Sequence, residues 1–190
     1  MYEDFRAFSR ELLRRYDRTV LRVLREEDPG RLVFRDRFMI GGIRGVVDNL
    51  DLFSEFDGIG VNICPANIQP GLGEAEVALL KLIHERTAKP ILIGEWPVPA
   101  PDSGLYNNLG KLDWSYPQTV STQTGRARQA AAVVARLYNP PFIVGSHWFT
   151  WRDFDSPVRQ ANRGLFRAGG EPWEELQRAL AGGRTAINPR

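Results

Sequence analysis

Glu95 closes a short apolar run, Pro90-Ile91-Leu92-Ile93-Gly94, and is followed at once by Trp96 and Pro97. An apolar, β-branched segment of this length predicts a buried strand, and a carboxylate at its carboxyl end stands where parallel α/β folds do their chemistry. Removing a carboxylate from water is costly unless the group is paired or used. An ionised Glu95 among tryptophans has the character of a nucleophile toward the anomeric carbon of a sugar. The competing account is a structural salt bridge to Arg37 or Arg152.

Other polar and aromatic residues fall at the ends of apolar runs in the same way. Asp36 and Arg37 follow Leu32-Val33-Phe34, and Asn62 ends Asp57-Gly58-Ile59-Gly60-Val61. His147, Trp148, Trp151 and Asp153 close the run that starts at Phe142. Asn62 offers a donor and an acceptor to a hydroxyl, or satisfies loop backbone. Trp96, Trp148 and Trp151 present planes that suit the C–H faces of sugar rings, and core packing is the other use of such residues. His147 either orients a carboxylate or hydroxyl or serves as a hydrogen-bonded structural group. Cys64 has no histidine paired with it in the sequence and reads as a small buried residue. Gly41-Gly42 and Gly71-Leu72-Gly73 lack the spacing of a phosphate-binding loop.

The elements that must position these residues follow from periodicity. Residues 4–27 predict an amphipathic helix, with Phe5, Phe8, Leu12, Leu13, Tyr16, Val20 and Val23 at steps of three and four, stopped by Asp28-Pro29-Gly30. Strands are predicted at 32–34, 57–63, 91–94 and 142–149. Helices are predicted at 74–87 and 124–138, a partly helical piece at 43–55, and a last helix over 172–181 opened by Pro172. The segment 97–123, with Tyr106, Trp114 and Tyr116, is a long loop whose aromatics argue for a functional role. One helix followed by four βα units predicts right-handed crossovers and a parallel sheet. Every unusual residue lies after a strand, so one face at the carboxyl ends would carry the function.

Composition narrows the classes. The chain has 190 residues and a net charge of +2, with arginines interleaved with acids along helices, which gives no reason to expect a nucleic-acid partner. One cysteine and two histidines exclude an intrachain disulfide, a cysteine-rich zinc site and a zinc site of three histidines, and no metal or cofactor is expected. No signal peptide or apolar stretch of about 18 residues is present, so no membrane association and a cytoplasmic location are the expectation.

Taken together, the strand-end motifs resemble the C-terminal half of a clan A glycoside hydrolase, a (β/α)₈ barrel, most closely its agarase and β-galactosidase-like branches. Asp57-Gly58-Ile59-Gly60-Val61-Asn62 is similar to the family's sixth strand. Lys89-Pro90-Ile91-Leu92-Ile93-Gly94-Glu95-Trp96 resembles the seventh, which carries the catalytic nucleophile. Gly145-Ser146-His147-Trp148-Phe149-Thr150-Trp151-Arg152-Asp153 resembles the eighth, with its aromatic floor. The resemblance implies a parallel (β/α) half-barrel equivalent to strands 5–8, a single partial domain over 1–181, and a frayed tail at 182–190. It implies Glu95 as nucleophile and a carbohydrate site lined by Asp36, Arg37, Asn62, Trp96, His147, Trp148, Trp151 and Asp153. The family's acid/base glutamate follows an Asn on the fourth strand. No such Asn-Glu pair stands at a strand end here, so the resemblance also implies little activity alone, and a partner that is either the N-terminal half-barrel or a second copy. A non-catalytic carbohydrate-binding or assembly module is the alternative.

Overall fold

The structure is a computed structural model that describes residues 2–39, 47, 49–63, 73–105, 120–157 and 159–187, with the backbone alone at 36–39 and 183–187. Helix α1 (Tyr2–Glu27) precedes strand β1 (Phe34–Met39), and a 3₁₀ turn (Leu50–Phe53) leads to β2 (Gly58–Asn62). Helix α2 (Glu74–Thr87), β3 (Ile91–Trp96), α3 (Gln123–Leu137) and β4 (Ile143–Trp148) follow in alternation. A small hairpin, β5 (Phe154–Ser156) and β6 (Arg159–Ala161), precedes the last helix α4 (Glu174–Ile187). The four long strands form one parallel sheet in the order β1-β2-β3-β4, as the alternation predicts.

The core lies between one face of this sheet and α2, α3 and α4. Ile59, Ile91 and Ile143 stand in register across β2, β3 and β4 and are buried together. Leu80 and Ile83 of α2 and Ala130, Val133 and Leu137 of α3 close over them, followed by Trp173 and Leu176. Each large aliphatic side chain so buried contributes about 1.5–3 kcal/mol. Thr122 caps α3 by accepting from Gly125 N at 3.1 Å.

Helix α1 is oriented against its own amphipathicity. A surface helix ordinarily turns its apolar stripe inward. Here the charged side faces the body. Asp17, nearly buried, pairs with Arg35 of β1 at 2.9 Å, Arg10 donates to Asn49 and Asp51, and Arg18 donates to Glu55. Phe5, Leu12 and Tyr16 remain 69%, 59% and 62% exposed.

Three sequence-based expectations change. β1 begins at Phe34, so Asp36 and Arg37 lie within the strand rather than beyond its end. The ion pair from Arg35 to Asp17 makes charge tolerable there, and the side chains of Asp36 and Arg37 lie outside the described part. The stretch after β4 contains the β5–β6 hairpin in place of a plain polar loop. Helix α4 continues through Ile187, across residues expected to fray.

Candidate active site at the strand carboxyl ends

Glu95 owes its direction to a bulge. Val61 pairs with Ile93 and Asn62 with Glu95, so Gly94 is an extra residue on β3. A bulge turns the side chain beside it, and glycine accepts the local distortion. Ile93 and Trp96 on either side belong to the buried core against the helices. Gly94 and Glu95, between them, are therefore presented to the opposite face, and Glu95 is half-buried. Its backbone oxygen accepts from Ile63 N at 2.9 Å, which ties the ends of β2 and β3 together.

Asn62 joins Glu95 on that face by the same logic, because its neighbours Val61 and Ile63 are fully buried in the core. Asn62 itself is 2% exposed, and among the described residues its Oδ1 accepts no hydrogen bond. A buried acceptor without a donor is uncommon and costs about 1–3 kcal/mol. The arrangement leaves a ready acceptor for a hydroxyl beside a carboxylate.

The aromatic candidates separate into different roles. Trp96 is 1% exposed and meets the edge of Trp148 at 4.8 Å and 75°. Its ring packs within the core and also borders the cavity that His147, Trp148 and Trp151 line. Trp148 is half-buried and anchored by Nε1 donating to Arg163 O at 2.7 Å. Trp151 is 69% exposed and leans on Phe166 at 4.7 Å. His147 is exposed at the end of β4. With Trp148 and Trp151 it lines a cavity of about 570 Å³ that Val134 of α3 and Leu180 of α4 also border.

Asp153 is interior. It is 4% exposed and accepts from Gly164 N at 2.6 Å, Trp173 Nε1 at 2.8 Å and Asn162 Nδ2 at 3.1 Å. Both carboxylate oxygens are thus used within the chain, and Asp153 organises the segment after β4 rather than a sugar. Gly164 is required there, because a Cβ would collide with the backbone of Arg152 and Asp153.

A fully buried arginine completes this part of the molecule and is absent from the candidates read from sequence. Arg126 of α3 donates to Val98 O at 2.6 Å, Gly164 O at 2.8 Å and Gln123 Oε1 at 3.1 Å. Its guanidinium lies 5.5 Å from the Trp148 ring and 5.7 Å from the Trp173 ring. Burial pulls its pKa down to about 10, partly opposed by the charges of Asp153 and Asp102. Asn162 works in parallel, accepting from Ala100 N and Gln123 Nε2. Together they clamp the chain just beyond Glu95 to the segment beyond Trp148. The signal was in the sequence: Arg126 occupies the same helical phase as Ala130, Val133 and Leu137.

Cys64 and the loop aromatics Tyr106, Trp114 and Tyr116 lie outside the described residues. Among the described residues no cluster of three His, Cys, Asp or Glu side chains is placed to hold a metal, and no helix is long and apolar enough to cross a membrane.

Solved structures that superpose on this chain include agarases and β-glucuronidases. An agarase superposes with a TM-score of 0.74 at 22% identity, covering 98% of this chain and 25% of the agarase. An exo-β-agarase gives 0.73 at 21% identity, over 94% of this chain and 22% of its own. A Bacteroides uniformis β-glucuronidase gives 0.65 at 21% identity, over 90% and 20%. The chain shares the fold of the part of these proteins on which it superposes. It spans about a quarter of the length of the agarases and about a fifth of the glucuronidase. No protein-family model and no curated protein matches the sequence.

Proposed function

We propose that this chain forms the carboxyl-terminal (β/α)₄ part of a retaining glycoside hydrolase barrel acting on β-linked sugars, with Glu95 as the nucleophile. The observation that carries the proposal is the Gly94 bulge, which turns a carboxylate away from the core beside an Asn62 whose oxygen has no donor among the described residues. The likeness to β-agarases and β-glucuronidases supports the same chemistry.

In this reading Glu95 attacks the anomeric carbon as the glycosidic C–O bond breaks, and the leaving oxygen takes a proton from the acid group. Water deprotonated by that same group then displaces Glu95 and frees the sugar. Asn62 Oδ1 accepts from a sugar hydroxyl and fixes the ring over the nucleophile. Trp151 supplies an exposed plane and His147 a polar contact at the rim, and Asp36 and Arg37 stay candidates for the β1 side. Trp96 and Asp153 serve the scaffold. A retaining mechanism needs a second carboxyl about 5–5.5 Å from the first. That acid/base group comes from the remaining strands of the barrel, and the chain alone turns over ordinary saccharides poorly.

The test separates the nucleophile from the acid. An aryl β-glycoside with a dinitrophenolate leaving group needs no protonation to depart, so a carboxylate nucleophile can form its ester without an acid. The chain incubated with dinitrophenyl β-galactoside or β-glucuronide should gain one glycosyl unit by mass spectrometry, mapped to Glu95 and absent in Glu95→Gln. Turnover of unactivated β-linked oligosaccharide that is undiminished in Glu95→Gln would sink the proposal. Binding of agaro-oligosaccharide by tryptophan fluorescence with no adduct would instead establish the alternative, a carbohydrate-binding module.

A further inference from the structure

Glu95 stands at an irregular point of the sheet. On the β2 side Gly94 is an extra residue, and on the β4 side Gly94 and Glu95 together face the single residue His147, between the pairs Ile93–Ser146 and Trp96–Trp148. A bulge interrupts the ladder and bends the strand, so strand pairing alone leaves the direction of the carboxylate loosely set. We infer that Arg126 is a positioning residue for Glu95: its guanidinium holds the strand exit at Val98 and the Trp148 ring on which Trp96 packs, and so fixes where the carboxylate stands for attack. The inference rests on the proposed role of Glu95 as nucleophile and extends it to the device that aims the group.

The sheet does little for the segment just after Glu95. Strand β3 ends at Trp96, whose carbonyl accepts from Phe149 N at 3.3 Å, longer than is usual for such a bond. Pro97 and Pro99 follow, and proline has no N–H to give to a ladder. Val98 between them is fully buried. Its carbonyl accepts from Arg126 Nε at 2.6 Å. A side chain of α3 thus does for this strand exit what a neighbouring strand does for the rest of β3.

The guanidinium is itself fixed. Arg126 also donates from Nη2 to Gly164 O at 2.8 Å and from Nη1 to Gln123 Oε1 at 3.1 Å. Its donors form a rigid planar fork, so bonds in three directions fix its place together with those of its partners. Its centre lies 5.5 Å from the Trp148 ring, and Trp148 is held in turn by Nε1 donating to Arg163 O. Trp96, next to Glu95, sets its ring at 75° to that of Trp148, with 4.8 Å between centroids. Two routes therefore lead from Arg126 to Glu95. One runs through Val98 and back along the chain, the other through Trp148 and Trp96.

The bonds of Arg126 stabilise the fold as well, and the two roles differ in what they move. Loss of stability lowers the folded fraction and leaves each folded molecule as reactive as before. Loss of position leaves the sugar bound and slows the attack, and a misplacement of about 1 Å can lower a rate about a hundredfold. Lysine at position 126 separates charge from geometry. It keeps the cation but gathers its donors at one point on a flexible stem, so it cannot hold Val98 O and Gly164 O in one plane.

The experiment follows the labelling of Glu95 by a dinitrophenyl β-glycoside, read as released dinitrophenolate, in the unaltered chain, Arg126→Lys and Asp57→Asn. Asp57 joins α1 to the sheet at the amino end of β2, away from Glu95, and its variant is the control for lost stability. In Arg126→Lys the limiting rate should fall by roughly tenfold or more, with the half-saturating glycoside concentration changed by less than about twofold. Asp57→Asn, corrected for its folded fraction, should keep both values. Gln123→Ala removes one anchor of the guanidinium from a half-buried position and should slow the limiting rate about threefold, which keeps the test open if Arg126→Lys does not fold. An unchanged limiting rate in both variants, a loss shared equally by Asp57→Asn, or a loss carried by the half-saturating concentration alone overturns the inference and keeps the nucleophile. Amide hydrogen exchange gives a readout that needs no sugar. Protection of Glu95, Trp96 and Val98 should fall about tenfold in Arg126→Lys while Leu80 and Ile83 of α2 keep theirs. Unchanged protection at 95–98 overturns the inference. No adduct in the unaltered chain removes the nucleophile instead, and the exchange then decides alone whether Arg126 fixes this strand end.

Discussion

Arg126 and Arg10 bring the same side chain into opposite circumstances. Arg126 is fully buried, donates to two backbone carbonyls and a glutamine, and lies between two tryptophans. Arg10 lies on a helix held by polar contacts at the surface, with Asn49 and Asp51. Around Arg126 the chain has used its polar groups to fix one arrangement of the segments next to Glu95. Around Arg10 it has used them to attach a helix whose apolar arc points elsewhere. Removing a partner from the first region strands a buried group, whereas exposed ion pairs contribute about 0–1 kcal/mol each.

The largest test of this contrast is Asp153→Ala. It strips acceptors from Gly164, Trp173 and Asn162 in the interior, and urea unfolding should show a loss of about 3–5 kcal/mol. A loss below about 1 kcal/mol would mean that water or a rearranged Asn162 replaces the carboxylate. Arg126→Met keeps much of the volume but leaves Val98 O and Gly164 O without donors, for an expected loss of about 2–4 kcal/mol. A neutral result there would make the buried arginine a removable feature and erase the contrast.

A smaller effect belongs to Asp57, which joins α1 to the sheet. Hydrogen bonds from Val33 N and then Arg25 hold its pKa below the ordinary 3.8. A depressed native pKa gives stability that is present above about pH 4 and lost as the pH falls through the native value. Acid unfolding followed by circular dichroism should be shallower below pH 4 in Asp57→Asn. An unchanged acid limb would place the coupling elsewhere. The smallest expected effect is Leu12→Ala, within about 0.5 kcal/mol, because the side chain is already in water. A loss near 2 kcal/mol would show that the arc is covered within the chain itself.

The regular elements were legible because periodicity and the strand-bounding glycines and prolines agree. Helix α2 spans the predicted 74–87, and the four strands fall near their predicted places. β1 moved because Arg35, Asp36 and Arg37 read as a strand terminus, while an ion pair to Asp17 lets the strand continue. The orientation of α1 was not legible, since a hydrophobic stripe states that a face wants covering and not what covers it. At the candidate site, alternation on β2 and the Gly-Glu pair on β3 suffice to put Asn62 and Glu95 on one face. Burial of Trp96 and Asp153 depends on groups as distant as Trp148 and Trp173, which no local pattern contains. Arg126 was within reach, as a charged residue in an apolar helical phase.

One more consequence follows from α1 and α4 standing beside the two outer strands. Sheets with unpaired edges are prone to add strands from neighbouring molecules and grow into fibres. Here any head-to-tail addition, β4 of one molecule to β1 of the next, brings two helices into one place. Growth stops at the first step. The bulk of those two helices therefore acts as a guard against polymerisation.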